Sequence, residues 1–202
     1  GTDQGDQLPR SDREVQPGQP RQLEPLLNGS WSHRSSLRPP RVRSTATAAT
    51  VAAFSGIVTG AGGGIGRASA LAFAGAGARV LIMDIAAEPL EETARLIREA
   101  GGVVETMVGD ASDEDLAAQM VARTVELWGT LDFAHNNAGI GVAATPFTQQ
   151  EREVWERVFT LNVFGTMSFM KHELRRMEKQ GFGAIVNTSS MSGKNGSPGL
   201  SP

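Results

Sequence analysis

The chain has 202 residues, 40% apolar and 20% charged, with a net charge of −3, which is enough to bury one sizeable core and to carry further sequence beside it. It contains no cysteine, so disulfides, thiol catalysis and cysteine-held metal are excluded. An acidic balance without a basic stripe in the apolar part speaks against a nucleic-acid partner, and no apolar run approaches the length of a membrane span, leaving the cytosol as the default location.

Residues 1–50 are rich in Gln, Pro, Arg and Ser and show almost no apolar periodicity, a composition predicted to stay disordered because it buries too little to offset ordering. The stretch Gly29–Val51 has four arginines (Arg34, Arg38, Arg41, Arg43) and no acid, in the manner of a transit peptide. Its internal position and the acids ahead of it (Asp3, Asp6, Asp12, Glu14, Glu24) favour a disordered leader or an incorrectly assigned start over targeting.

Apolar periodicity begins at Phe54. The run to Val58 is a short first strand, and Thr59-Gly60-Ala61-Gly62-Gly63-Gly64-Ile65-Gly66 turns it into an Ala-rich helix expected over Arg67–Ala76. Bare backbone lets a pyrophosphate approach a helix N-terminus, so Gly60 is assigned to the turn, Gly64 to the close approach and Gly66 to helix–strand contact. A second strand, Arg79–Met83, ends in Asp84, where a βαβ unit presents a carboxylate to an adenosine ribose. That charge repels a 2′-phosphate and the turn holds no basic residue, which together predict NAD rather than NADP.

Helical spacing of Leu90, Ala94, Leu96 and Ile97 places a helix over Glu88–Ala100, stopped by Gly101-Gly102. Val103–Val108 is a third strand leading to Asp110. Ser112 with Asp115 predicts an N-cap and capping-box start for a helix running to about Trp128. Leu131–His135 is a fourth strand that delivers Asn136-Asn137-Ala138-Gly139 at its C-terminal edge. Ligands bind outside the carboxyl ends of open parallel sheets, so Gly60, Asp84, Asp110 and Asn137 converge on one rim.

Thr148–Lys179 reads as one long helix whose apolar residues (Trp155, Val158, Phe159, Leu161, Phe164, Met167, Met170, Leu174, Met177) cover more than one face and require two partners. Asn162 lies among them, and a buried amide needs hydrogen bonds. His135 and His172 have no second ligand at useful spacing and are read as a strand-end and a helix-surface residue. Ala184–Thr188 is a fifth strand, with Ser189 and Ser190 just past its end. The alternation predicts an α/β, doubly wound parallel sheet of the Rossmann type with about five strands.

Thr59–Gly66, Asp84, Asp110, Asn136–Gly139, Asn162 and Ile185–Ser190 together resemble the ordered motifs of the short-chain dehydrogenase/reductase family, over residues 54–202. The resemblance implies a dinucleotide-binding domain that exchanges hydride between a small alcohol and a carbonyl, and a homo-dimer or homo-tetramer. It implies cofactor contacts from Thr59, Gly60, Gly62, Gly64, Ile65, Gly66, Asp84, Asp110, Asn137, Ala138 and Gly139, with Asp110 beside the adenine. Ser190 matches the serine that hydrogen-bonds the substrate oxygen. Asn162 matches a residue that helps hold a proton-relay water, a reading favoured over that of a structural polar residue bonded to backbone. The family's proton donor is a tyrosine aided by a lysine one turn later, and this chain has no tyrosine; Lys194 precedes the expected position. The resulting expectation is a chain that stops before its proton donor, leaves its last strand as an open edge and tends to aggregate. Two readings follow: part of an NAD-dependent oxidoreductase, or a non-catalytic short product that binds dinucleotide or a full-length partner.

Overall fold

The computed structural model describes residues 54–191; the leader read over 1–50 and the run Gly193–Gly199, with Lys194, lie outside the described residues. Five strands form one parallel sheet in the order β3-β2-β1-β4-β5: β1 Ser55–Thr59, β2 Arg79–Asp84, β3 Val103–Val108, β4 Phe133–Asn136 and β5 Ala184–Asn187. β1 is buried at every position and β2 at its four central ones, as continuous apolar runs in a doubly covered sheet should be. The strand order reverses between β1 and β4, and the crevice at that reversal is where an open α/β sheet binds ligands.

Helices α1 (Gly64–Gly75), α2 (Ala87–Glu99) and α3 (Glu114–Trp128) follow the first three strands. α1 buries Gly66, Ala70 and Ala74, a stripe four residues apart that is small enough to bring the helix axis close to the sheet. One core gathers Val58, Val80, Ile82, Leu90 and Ile97 on the α1–α2 face, and the other gathers Ile57, Leu81, Met120, Leu131 and Phe169 on the opposite face.

The structure corrects several expected boundaries. α1 starts at Gly64 rather than Arg67, because glycines of the turn already take helical positions. The N-cap of α3 is Asp113, whose carboxylate accepts from the N–H groups of Asp115 and Leu116, rather than Ser112. β4 begins at Phe133, after the backbone of Asp132 has bonded to Ser55, and β5 ends at Asn187. The long helix starts at Arg152, after a separate 3-10 turn (Phe147–Gln149), and runs on without interruption as α4 (Arg152–Val158), a π-helical segment (Phe159–Gly165) and α5 (Thr166–Gln180). At the end of the π-helical segment a Cβ on Gly165 would lie 2.5 Å from the Ala111 carbonyl oxygen, so the segment presses on the loop before α3.

β5 is a sheet edge with Val186 57% exposed, and Phe164 and Met167 on the neighbouring helical segments are 57% and 59% exposed. Unpaired strand edges beside apolar surface pair with other chains. Light scattering should therefore show association that rises with protein concentration, and Val186→Lys should suppress it. A monomer at every concentration would contradict this.

Candidate functional site

The site starts from two loops that are fastened together. Thr59, 1% exposed at the end of β1, accepts at its hydroxyl from the N–H groups of Asn137 (2.9 Å) and Ala138 (3.0 Å). The Asn137 amide returns the contact, donating to the Thr59 and Gly60 carbonyls at 3.2 and 3.4 Å. Gly60 stands at φ +65°, and a Cβ on it would meet the Ala138 Cα at 2.9 Å. At Gly66 the crowding is greater, with a Cβ falling 2.0 Å from the Gly60 carbonyl oxygen. The assignments of Gly60 to the turn and Gly66 to helix–strand contact thus have direct steric counterparts. Gly64, at φ +49°, faces open space at the start of α1.

Asp84 closes one side of the turn. Its Oδ2 accepts from the Gly62 N–H at 2.8 Å and its Oδ1 from the Ala86 N–H at 3.0 Å, so the carboxylate is held in place with lone pairs left over. Gly62 is buried and passes this close only because it has no side chain; a Cβ would sit 2.9 Å from the Asp84 carboxyl. Asp110, exposed, bonds its own loop through the Ser112 N–H. A cleft of about 510 Å³ runs past Gly60, Asp84, Asp110, Ala138 and Gly139. A second, of about 920 Å³, shares Gly60, Asp84 and Gly139 and continues past Gly64, Ile65 and Asn137 to Asn162, Thr188, Ser189 and Ser190. All the residues singled out from sequence therefore border this pair of clefts, except Thr59, Gly62 and Gly66, which lie beneath it.

Asn162 sits in the π-helical segment and pairs its side-chain amide with the backbone of one residue: Oδ1 accepts from the Ile140 N–H and Nδ2 donates to the Ile140 carbonyl, both at 2.9 Å. Its own carbonyl takes the Thr166 hydroxyl at 3.0 Å. His135 hydrogen-bonds Thr188 Oγ1 at 2.9 Å, and burial lowers its pKa. His172 is not the surface residue expected; its ring is 19% exposed, with Nε2 3.5 Å from Glu114.

Three contributors escaped the sequence reading. Thr188 donates to Asn137 Oδ1 at 3.1 Å, joining the fifth strand to the paired loops. Arg67 donates to the Gly62 carbonyl and to Thr93, whose hydroxyl in turn holds the Ala61 carbonyl, so α2 braces the glycine turn from behind. Glu173 on α5 is fully buried, its Oε2 accepting from Asn136 Nδ2 at 3.0 Å. The available signal was its place in an apolar stripe, between Phe169 and Met177 one turn away on either side.

Residues 56–202 match the family model of the short chain dehydrogenases. The chain belongs to that family. It is 41% identical over 142 residues to an uncharacterized oxidoreductase of Thermotoga maritima, covering 70% of this chain and 55% of that protein. It is 39% identical over 137 residues to the cis-4-hydroxycyclohexanecarboxylate dehydrogenase of Sinomonas cyclohexanicum, covering 68% and 55%. Among solved structures, NAD+-bound xylitol dehydrogenase superposes with a TM-score of 0.71 at 36% identity, covering 73% of this chain and 57% of that one. The chain spans about half the length of the curated relatives it matches. The similar proteins are named as oxidoreductases and dehydrogenases, and two of the similar structures, xylitol dehydrogenase and the carveol dehydrogenase of Mycobacterium avium, hold NAD. No helix among the described residues is long and apolar enough to cross a membrane.

Proposed function

We propose that residues 54–202 are the dinucleotide-binding domain of a cytoplasmic NAD-dependent oxidoreductase acting between a small alcohol and a ketone. The observation that carries this reading is the glycine cradle beside Asp84: Gly60 and Gly66 admit no Cβ, Gly64 leaves the start of α1 open, and a fixed carboxylate borders the same cleft. The cradle fits a pyrophosphate against the exposed N–H groups of a helix N-terminus, and Asp84 retains acceptor capacity for ribose hydroxyls while opposing a 2′-phosphate. Ile65 and the Asn137–Gly139 loop complete the walls, and Asp110 borders the adenine end. Bound there, NAD supplies the acceptor for a hydride and its reduced form the donor.

Ser190 stands at the far end of the cleft, placed to donate to a substrate oxygen. Asn162 acts through Ile140, whose backbone its side-chain amide holds at the cleft wall, and through its own carbonyl, which takes the Thr166 hydroxyl. Developing alkoxide charge requires a positioned acid, and these 202 residues contain no tyrosine; by themselves they bind dinucleotide without turning substrate over. A panel of ketones with NADH and the chain alone should give no oxidation, and turnover would overturn that part of the reading. The exposed Phe164–Met167 surface is the face we assign to a homo-dimer or homo-tetramer contact.

Asp84→Asn keeps an acceptor for Gly62 but removes the charge. It should weaken NADH by about tenfold, the scale of one charge-assisted hydrogen bond, and strengthen NADPH. Fluorescence titration of both cofactors measures the change, and an unaltered ratio would remove Asp84 from cofactor selection.

A further inference from the structure

Glu173 and Asn136 present an arrangement that one proton completes. Asn136 Nδ2 donates to Glu173 Oε2 at 3.0 Å, while Glu173 Oε1 and Asn136 Oδ1 are both buried and have no hydrogen-bond partner among the described residues. Two orphan acceptors on one already bonded pair are costly when buried. They are also the two atoms that an acid–amide ring would join: a carboxylic acid donates one hydrogen bond and accepts another, and a primary amide does the reverse. A proton on Oε1 directed at Oδ1 satisfies both atoms at once.

We propose that Glu173 is held as the neutral acid in a cyclic pair with Asn136, and that this pair is a positioning device for the candidate site. The transmission is visible in the contacts. Asn136 also donates to Asn187 Oδ1 at 3.0 Å, and its carbonyl accepts from the Thr188 N–H at 2.9 Å. β4 and β5 are thereby tied at their ends, immediately before Asn137–Gly139 on one strand and Ser189-Ser190 on the other. Ionised Glu173 would set two acceptors face to face and loosen that tie.

No cation among the described residues is paired with Glu173, and Arg176, one turn further along α5, donates to Gln180 and to the Gly129 carbonyl. On this side of the sheet β4 contributes Ala134 and Asn136, β5 contributes Ile185, and α3 contributes Ala117, Met120 and Val121, none of them titratable. The titratable groups nearby in the fold are engaged elsewhere: His172, Lys171 and Glu114 interact among themselves at the start of α3, and His135 bonds Thr188. Burial supports the same state, pushing the Glu173 carboxyl up to about 7.

The test uses the 202-residue chain and two variants. Glu173→Gln replaces the acid–amide ring by an amide–amide ring that cannot titrate, whereas Glu173→Leu abolishes it. Infrared spectra of the wild type at pH 6 should show a protonated-carboxyl stretch that is lost as pH passes neutrality and is absent from E173Q. Identical spectra for wild type and E173Q would overturn the acid–amide pair. Amide exchange at Thr188 and Asn137, compared at equal pH, should quicken relative to E173Q by about tenfold per pH unit above the titration, with E173L fast throughout. Equal protection in all three proteins would overturn the positioning role. NADH affinity, which rests on the dinucleotide reading above, should follow the exchange profile; failure of all three proteins to bind NADH would count against that reading and leave the infrared and exchange results to decide this one.

Discussion

Gly66→Ala is expected to cost about 3 kcal/mol of stability, the upper range for forcing a methyl into packed backbone, and to reduce dinucleotide affinity by more than about tenfold. The added Cβ would fall 2.0 Å from the Gly60 carbonyl oxygen and 2.7 Å from Asn137 Nδ2, and neither neighbour can yield cheaply. Gly60 is backbone at φ +65°, and Asn137 is anchored by Thr59 and Thr188. The methyl must push α1 off the β1 turn and so deform the junction on which both loops depend. Gly63→Ala is the control, because nothing lies within 4 Å of a Cβ there; its effect should stay within about 0.5 kcal/mol, as for a surface change. Chemical denaturation of the two variants measures the contrast. Equal stabilities would mean that the turn and the Asn137 loop are not packed as described.

Stability should fall as pH rises from 5 to 8, and Glu173 should be the main cause. Burial raises its pKa from 4.5 to about 7. Between those values the folded state holds a proton that the unfolded chain has released, so proton binding favours folding. The contribution is complete below the unfolded value and is lost as pH rises through the folded one. A separation of that size corresponds to about 3 kcal/mol, or roughly 5–10 °C in Tm for a chain of this length. The sign is opposite to that of an ion-paired carboxylate, whose stabilisation disappears in acid. Glu173→Gln removes this titrating proton, so its Tm should no longer fall over the same interval, where His135 with its lowered pKa acts in the opposite sense, and should exceed that of the wild type at pH 8. A wild-type-minus-variant difference that does not change with pH would contradict the assignment.

The contrast between these two residues shows what a sequence discloses. Gly66 belongs to a local pattern: a strand, a tight turn and a small-residue helix are contiguous, and the steric demand appears in the chain as missing side chains. Asp84 and the Asn136–Gly139 run are legible for the same reason, each standing at the end of a recognisable apolar strand. The fold class follows from that alternation, and the sheet has the five parallel strands it implies. Glu173 depends instead on which face of α5 meets the ends of β4 and β5. That choice is shifted by the π-helical segment Phe159–Gly165, which changes the residues per turn ahead of α5. Apolar spacing through the segment is nearly continuous, so periodicity reads one regular helix and gives no sign of the shift. The cap of α3 was misread on a smaller scale, because Ser112 and Asp113 are both good caps and only the backbone direction selects Asp113. Arg67 and Thr93 lie on different helices, and nothing local marks their joint hold on the glycine turn.

The proposed function rests on the glycine cradle, the fixed Asp84 carboxylate and the paired loops, and it predicts that this chain holds a dinucleotide and discriminates against a 2′-phosphate. Titrating the 202-residue protein with NADH and with NADPH, following transfer of tryptophan fluorescence to the nicotinamide, tests it directly. Saturable binding of NADH at least about tenfold tighter than NADPH, the scale of one charge interaction at the ribose, is the predicted result. Absence of binding, or a preference for NADPH, would contradict it.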